Sequence, residues 1–296
     1  MSRKPAKPRI GAHTSIAGAL LHAAEEAAAL GCDTFQIFTR SPRMWRSAKL
    51  DPEAVAQFKD ARARFGLSPL AIHGNYLMNM AAADAGIRRL SIEAFRDELE
   101  RAVAVGADYL IIHPGSYKNQ TLDRAIRTLA DSIARATRKF SWNGLRLLLE
   151  NTAGGGQTIG RDFAELADLR KRIEAKSAAP VGFCLDTCHC YAAGFDISTA
   201  EGLDDTLRQI DKTLGLANIP VIHANDCRSA LGSRVDRHEH IGKGGIGREG
   251  FRRILHHPGL RGKAFILETP MDENGSHAGN VKALKALLRR APMRRR

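Results

Sequence analysis

The chain has 296 residues, 44% of them hydrophobic, and its 45 Lys and Arg against 32 Asp and Glu give a formal net charge of +13. That length accommodates one large domain with its own core, and the basic excess favours a polyanionic partner, most simply nucleic acid. No apolar run approaches the roughly 20 residues that cross a bilayer, and the basic start of the chain lacks the apolar stretch of a signal peptide, so the expectation is a cytoplasmic protein with no membrane partner.

In chain order, residues 9–13 form a short apolar strand, and 17–30 an Ala-rich helix that stops before Gly31. Strand 34–38 follows, then helix 52–65, opening on Pro52 and ending before Gly66. Strand 70–74 leads to helix 91–105, closed by Gly106, and strand 109–113 to helix 122–138, with Thr121 as its N-cap. Strands 145–151 and 181–187 come next, then helix 200–216 with Ser198 as N-cap, and finally strands 221–226 and 264–269. Pro in a first turn, hydroxyl residues before it and Gly just past the end are the ordinary punctuation of helices. The strands are rich in Ile, Leu, Val and Phe without strict alternation, as parallel strands buried on both faces are. Eight such units at a spacing of roughly 25 to 45 residues predict a closed (β/α)₈ barrel, a fold of about 250 residues. One domain over 9–290 is expected, with basic, disordered tails at 1–8 and 291–296. The longest polar loop, 227–247, is expected to be functional.

Metal-capable side chains close six of these apolar runs: His73, His113, Glu150, Asp186, His223 and Glu268. His189 lies three residues beyond Asp186, and Asp236 and His238 add two candidates in the long loop. A lone histidine at a strand end is usually a hydrogen-bonded structural residue, but six strands behaving alike are not explained that way. Barrel chemistry sits at the C-terminal ends of the strands. Mixed imidazole and carboxylate ligands suit Zn²⁺, with Mn²⁺ or Fe²⁺ as alternatives. There are too many for one ion, and two or three ions sharing a bridging carboxylate favour phosphate ester hydrolysis.

Other features carry less. Cys32, Cys184, Cys188, Cys190 and Cys227 form no CxxC pair, and an odd number without an export signal predicts buried free thiols. Gly154-Gly155-Gly156 and the glycines from Gly242 to Gly247 match no nucleotide-binding pattern and are read as tight loops beside the site, with Gly245-Ile246-Gly247 a weak phosphate candidate at a helix start. The loop 40–46, with Arg40, Arg43, Met44, Trp45 and Arg46, suits a DNA contact, although composition alone favours a packed surface loop.

These residues together resemble the endonuclease IV family of apurinic/apyrimidinic (AP) endonucleases. The resemblance runs through Ile10-Gly11-Ala12-His13, His73-Gly74-Asn75-Tyr76-Leu77, His113-Pro114-Gly115-Ser116 and Glu150-Asn151-Thr152-Ala153-Gly154. It continues through Leu185-Asp186-Thr187-Cys188-His189, His223-Ala224-Asn225-Asp226, Ser233-Arg234-Val235-Asp236-Arg237-His238 and Glu268-Thr269-Pro270. It implies a TIM-type (β/α)₈ barrel with three Zn²⁺ at the strand ends. One ion would take His73, His113 and Glu150, and a second Glu150, Asp186, His223 and Glu268. The third would take His189, Asp236 and His238. It implies Glu150 and Glu268 as catalytic carboxylates, and Arg43 and Tyr76 as residues that enter DNA at the lesion. Tyr117, Gly155 and Cys227-Arg228 depart from common family residues, and none is an implied ligand.

The implied activity is base excision repair: hydrolysis 5′ to abasic sites in double-stranded DNA, leaving a 3′-hydroxyl and a 5′-deoxyribose phosphate, and cleaning of blocked 3′ ends. A monomer is expected. Two other readings are a metal-dependent sugar isomerase or epimerase on the same barrel, which leaves several ligands without a job, and a non-catalytic DNA-binding scaffold stabilised by zinc.

Overall fold

Eight parallel strands close into the expected barrel: β1 (Arg9–His13), β2 (Thr34–Ile37), β3 (Leu70–His73), β4 (Tyr109–Ile112), β5 (Arg146–Glu150), β6 (Val181–Asp186), β7 (Val221–His223) and, past a two-stranded hairpin, β10 (Ala264–Leu267). The hairpin pairs β8 (Asp226–Cys227) with β9 (His238–Glu239) in antiparallel register. The structure is a computed structural model that describes residues 7–289, so the tails expected to be disordered lie outside the described residues apart from Lys7 and Pro8. β10 pairs with both β1 and β7, which closes the sheet and leaves it no free edge.

Nine α-helices are found among the described residues: α1 (Leu20–Ala29), α2 (Pro52–Arg64), α3 (Ala85–Ala104), α4 (Leu122–Ala136), α5 (Phe163–Glu174), α6 (Thr187–Ala193), α7 (Ala200–Thr213), α8 (Gly247–His256) and α9 (His277–Arg289). Side-chain caps start most of them. Asp51 accepts from the N–H of Glu53, Asp84 from Ile87, Thr121 from Arg124 and Asp162 from Ala164. Each satisfies a donor that the first helical turn leaves free. The N-cap of α7 is Thr199, accepting from Gly202, rather than the expected Ser198, whose hydroxyl donates to Asp196 instead. The strand expected over 221–226 is also two elements, because the chain leaves the barrel after His223 and re-pairs with the 238–239 segment.

Successive residues of a strand point to opposite faces. Outward side chains such as Phe35, Ile72, Leu110, Leu149 and Phe265 join the large core shared with the helices. Inward ones form a separate apolar plug of Ala71, Ile111, Leu148, Cys184, Val221, Ala264 and Ile266. Gly11 lets β1 lie tightly on β2, since a Cβ there would meet the Thr34 carbonyl oxygen at 1.8 Å. All five cysteines are buried and free.

Candidate metal centre

Two residues beyond six of the seven plug members, on the same inward face, stands a metal-capable side chain: His73 above Ala71, His113 above Ile111, Glu150 above Leu148, Asp186 above Cys184, His223 above Val221 and Glu268 above Ile266. The period of two in a strand therefore turns six sequence-distant residues toward one point at the barrel mouth. His189 joins them from α6, whose first turn is capped by Asp186 accepting from the His189 N–H at 2.8 Å. Asp236 and His238 arrive from the long loop. All nine expected residues meet there.

Their potential ligand atoms fall into three groups, each within 4.8 Å: His73, His113 and Glu150; Glu150, Asp186, His223 and Glu268; and His189, Asp236 and His238. A further group, Asp186, Cys188 and His238, was not foreseen in the sequence. Glu150 is fully buried and its two oxygens face different neighbours. Oε2 lies 3.2 Å from His73 Nε2 and 3.2 Å from His113 Nε2, while Oε1 lies 3.0 Å from His223 Nδ1. The cage is open on one side only: side-chain exposure is 40% at His113 and 50% at Asp236, but 0% at Asp186 and His223.

The hydrogen bonds behind three of the ligands fix which nitrogen donates. His73 Nδ1–H donates to the Gly74 carbonyl at 2.8 Å and His189 Nδ1–H to the Asn151 carbonyl at 2.8 Å. His238 Nδ1–H donates to the Glu268 carbonyl at 3.1 Å. In a neutral imidazole the other nitrogen is then a bare lone pair, and in each case it faces carboxylates: Glu150 at 3.2 Å from His73, and Asp236 at 3.1 Å from His189 and 3.3 Å from His238. His238 Nε2 is buried and has no hydrogen-bond partner. Among the described residues no Lys or Arg pairs with Glu150, Asp186, Asp236 or Glu268. Acceptors facing acceptors in a buried, anionic cage are costly unless a cation sits between them, so the residues present fit a polynuclear metal centre. Without a metal, only the imidazoles compensate the carboxylates. Burial works to raise the Glu150 pKa, but His223 and His113 overcome it and hold that carboxyl well below the usual range.

Buried amides support the ligands from behind. Asn225 Nδ2 donates to Asp186 Oδ2 at 2.7 Å, and its Oδ1 accepts from the Glu268 N–H at 2.8 Å. Asn151 Oδ1 accepts from the Asp186 N–H at 2.7 Å. Gln36 and His13, on β2 and β1, were not read as site residues. Gln36 touches His223, Glu268 and His13, and burial pushes the His13 imidazole below its ordinary value. Applying the strand-end rule to all eight strands rather than six would have found both.

The loops bear out some expectations and correct others. Tyr76 stands at the lip of the cage, 61% exposed, its ring 5.7 Å from that of His73 and 5.3 Å edge-on to Phe38. Arg43 is exposed on loop 40–46. Arg40 is not free to meet a partner: it is buried, with Nε on Glu98 at 2.7 Å, Nη1 on Asp97 at 2.9 Å and Nη2 on the Ala94 carbonyl at 2.7 Å. Nor are the amides of Gly245-Ile246-Gly247 open to phosphate. Asp226, fully buried, takes the N–H groups of Gly242, Ile246 and Gly247 at 2.9, 3.0 and 3.2 Å, and the Gly245 N–H donates to the Cys227 carbonyl. The glycine loop 154–156 does sit beside the site, packed so closely on the long loop that a Cβ at Gly155 would lie 2.9 Å from the Arg234 carbonyl.

Residues 24–291 match the family described as xylose isomerase-like TIM barrel. The chain is 52% identical to a probable endonuclease 4 of Solibacter usitatus, over 94% of this chain and 96% of that one. It is 42% identical to a probable endonuclease 4 of Methanoculleus marisnigri, over 94% and 98%. The crystal structure of endonuclease IV from Thermus thermophilus superposes with a TM-score of 0.82 at 41% identity, covering 95% of this chain and 99% of that one.

Proposed function

Given that the chain belongs to the endonuclease IV family, we propose that it is a DNA repair endonuclease. It hydrolyses the phosphodiester 5′ to abasic sites in double-stranded DNA, leaves a 3′-hydroxyl and a 5′-deoxyribose phosphate, and removes blocked 3′ ends. The observation that carries this reading is the cage, in which imidazoles and carboxylates from six strands and two following segments face one another with no Lys or Arg among them. Under this reading His73, His113 and Glu150 hold one Zn²⁺, Glu150, Asp186, His223 and Glu268 a second, and His189, Asp236 and His238 a third. Bound there, such ions supply an activated water and neutralise charge on the phosphate oxygens.

The chain's own residues do the rest. Glu150 joins two ligand groups through separate oxygens, which fixes the spacing between them. Glu268 closes the second group, and its main chain is held by Asn225. Tyr76 and Arg43 meet the duplex at the mouth, Tyr76 as a ring against the lesion and Arg43 as a phosphate contact. The half-exposed edge at His113 and Asp236 is the side from which a sugar–phosphate enters. Selectivity needs no base readout, because extrusion costs least where the base is already missing. The domain is taken as 9–290 acting as a monomer.

The test is incision of an end-labelled duplex carrying one abasic analogue resistant to β-elimination, beside an undamaged duplex. The expected result is a single cut 5′ to the lesion, lost on stripping metal, restored by zinc and nearly abolished by Glu150→Gln. No cut by fully metallated protein would reject the reading, and turnover of a free ketose instead would replace it with a sugar isomerase.

A further inference from the structure

At the last inward position of β2, where six other strands carry metal-capable residues, stands Gln36, a neutral amide with no exposure to solvent. Its neighbours fix which end of the amide is which. Glu268, as a carboxylate, can only accept, so the atom 2.5 Å from Glu268 Oε1 is the NH₂ group. The second hydrogen of that group points at His13 Nδ1, 2.9 Å away. The carbonyl oxygen is therefore the atom 2.9 Å from His223 Nε2, and it accepts from that nitrogen. His223 therefore donates from Nε2, and in the neutral ring Nδ1 is the lone pair, 3.0 Å from Glu150 Oε1 and 3.2 Å from Glu268 Oε2.

We propose that Gln36 is a positioning residue of the metal centre, which holds His223 in the tautomer that presents Nδ1 and occupies Glu268 Oε1 so that Oε2 is the free ligand oxygen. The inference rests on the metal reading given above and adds a residue that is not a ligand. Without the amide oxygen, His223 can place its proton on Nδ1 and donate it to Glu150 or Glu268. That internal hydrogen bond closes the cage and competes with a cation for the same atoms. Partners behind a metal-bound imidazole change metal affinity by about 10- to 100-fold when removed. The other imidazoles rely on backbone carbonyls, which substitution cannot delete, or, in His113, show no such partner. His223 is thus the ligand whose tautomer depends on one replaceable side chain.

The test compares the full-length chain with Gln36→Met, which keeps length and loses both polar ends, and Gln36→Glu, which keeps an acceptor for His223. Zinc affinity is measured on metal-stripped protein by competition with a chromophoric chelator, and the His223 tautomer by the nitrogen NMR shifts of its ring. In Gln36→Met one ion is expected to bind about 10- to 100-fold more weakly, the others unchanged, with proton density moved to His223 Nδ1. Gln36→Glu is expected to keep the wild-type tautomer and to recover part of the affinity, and it decides the matter if Gln36→Met does not fold. An unchanged tautomer and affinity in Gln36→Met, or a loss of the Nε2-protonated tautomer in Gln36→Glu, would overturn the proposal. So would an equal weakening of every ion together with a lower melting temperature of the stripped protein, which marks a purely structural role. A wild-type chain that binds no zinc removes the metal reading itself, whereas a zinc-binding wild type with an indifferent Gln36→Met removes only this inference.

Discussion

Inside the barrel two adjacent layers are both buried at their centres and are chemically opposite. The lower holds Ala71, Ile111, Leu148, Cys184, Val221, Ala264 and Ile266, all essentially without solvent exposure. One inward step higher, Glu150, Asp186 and His223 are equally inaccessible. The lower layer stabilises the fold by ordinary transfer of apolar surface from water, about 1.5–3 kcal/mol for each large side chain. The upper layer has no such gain: carboxylates there lose hydration and are compensated by imidazoles and a few amide donors, an arrangement that well-packed apolar residues often match or exceed in stability. A fold does not need the upper layer, and its retention on six strands points to chemistry rather than to stability.

The strongest way to break this comparison is to make the upper layer resemble the lower. Glu150→Leu removes the carboxylate shared by two ligand groups. Cleavage of an abasic duplex is expected to fall by more than about a hundredfold, at least what the loss of one charge-stabilising group costs at an active site. The metal-stripped variant is expected to lose stability, about 3–5 kcal/mol, because removing one partner of a buried pair leaves the facing imidazoles without their counter-charge. A stripped variant as stable as the stripped wild type would mean that those imidazoles carry no charge for Glu150 to balance. Leu148→Ala probes the layer beneath. It should cost about 2–5 kcal/mol, the range for truncating a buried leucine, read by denaturant unfolding, while the folded fraction still binds its full complement of zinc. Loss of zinc in parallel with stability would show that the two layers are one cooperative unit.

The same contrast explains what the sequence made legible. A charged or imidazole side chain at the end of an apolar run is conspicuous because burial there needs a reason, so six residues of the cage were legible that way, while His189, Asp236 and His238 were read from their neighbours and from the family resemblance. Gln36 was not, because a neutral amide in that position looks like a satisfied core residue. Helix α3 begins at Ala85 rather than Ser91, since its first turns, with Gly86, Arg88 and Arg89, show little apolar periodicity and are started by the Asp84 cap. Helix α6 was hidden inside a stretch read only for its ligands, although Asp186 serves there as N-cap. Arg40 and Arg43 are alike in sequence and differ by their partners: only tertiary structure brings Glu98 and Asp97 to Arg40. Asp226 likewise collects the amides of the glycine loop from 16 or more residues away, a pairing that no local pattern announces.

The smallest expected effect lies on the outer wall and sharpens the comparison by serving as its control. Thr121 sits just before α4 and accepts from the Arg124 N–H at 3.3 Å as its N-cap. Thr121→Ala should lower stability by about 1 kcal/mol, the usual cost of losing an N-cap. Helix α4 carries no residue of the cage, and sites that share no partners behave additively. Zinc affinity and abasic-site cleavage in Thr121→Ala should therefore match wild type at temperatures well below unfolding, and a double variant with Leu148→Ala should show the sum of the two stability losses. A Thr121→Ala protein with reduced zinc affinity would show that the geometry of the mouth is set by the helical ring as well as by the strand ends, and the separation between scaffold and site drawn from the two layers would then fail at the wall rather than inside the barrel.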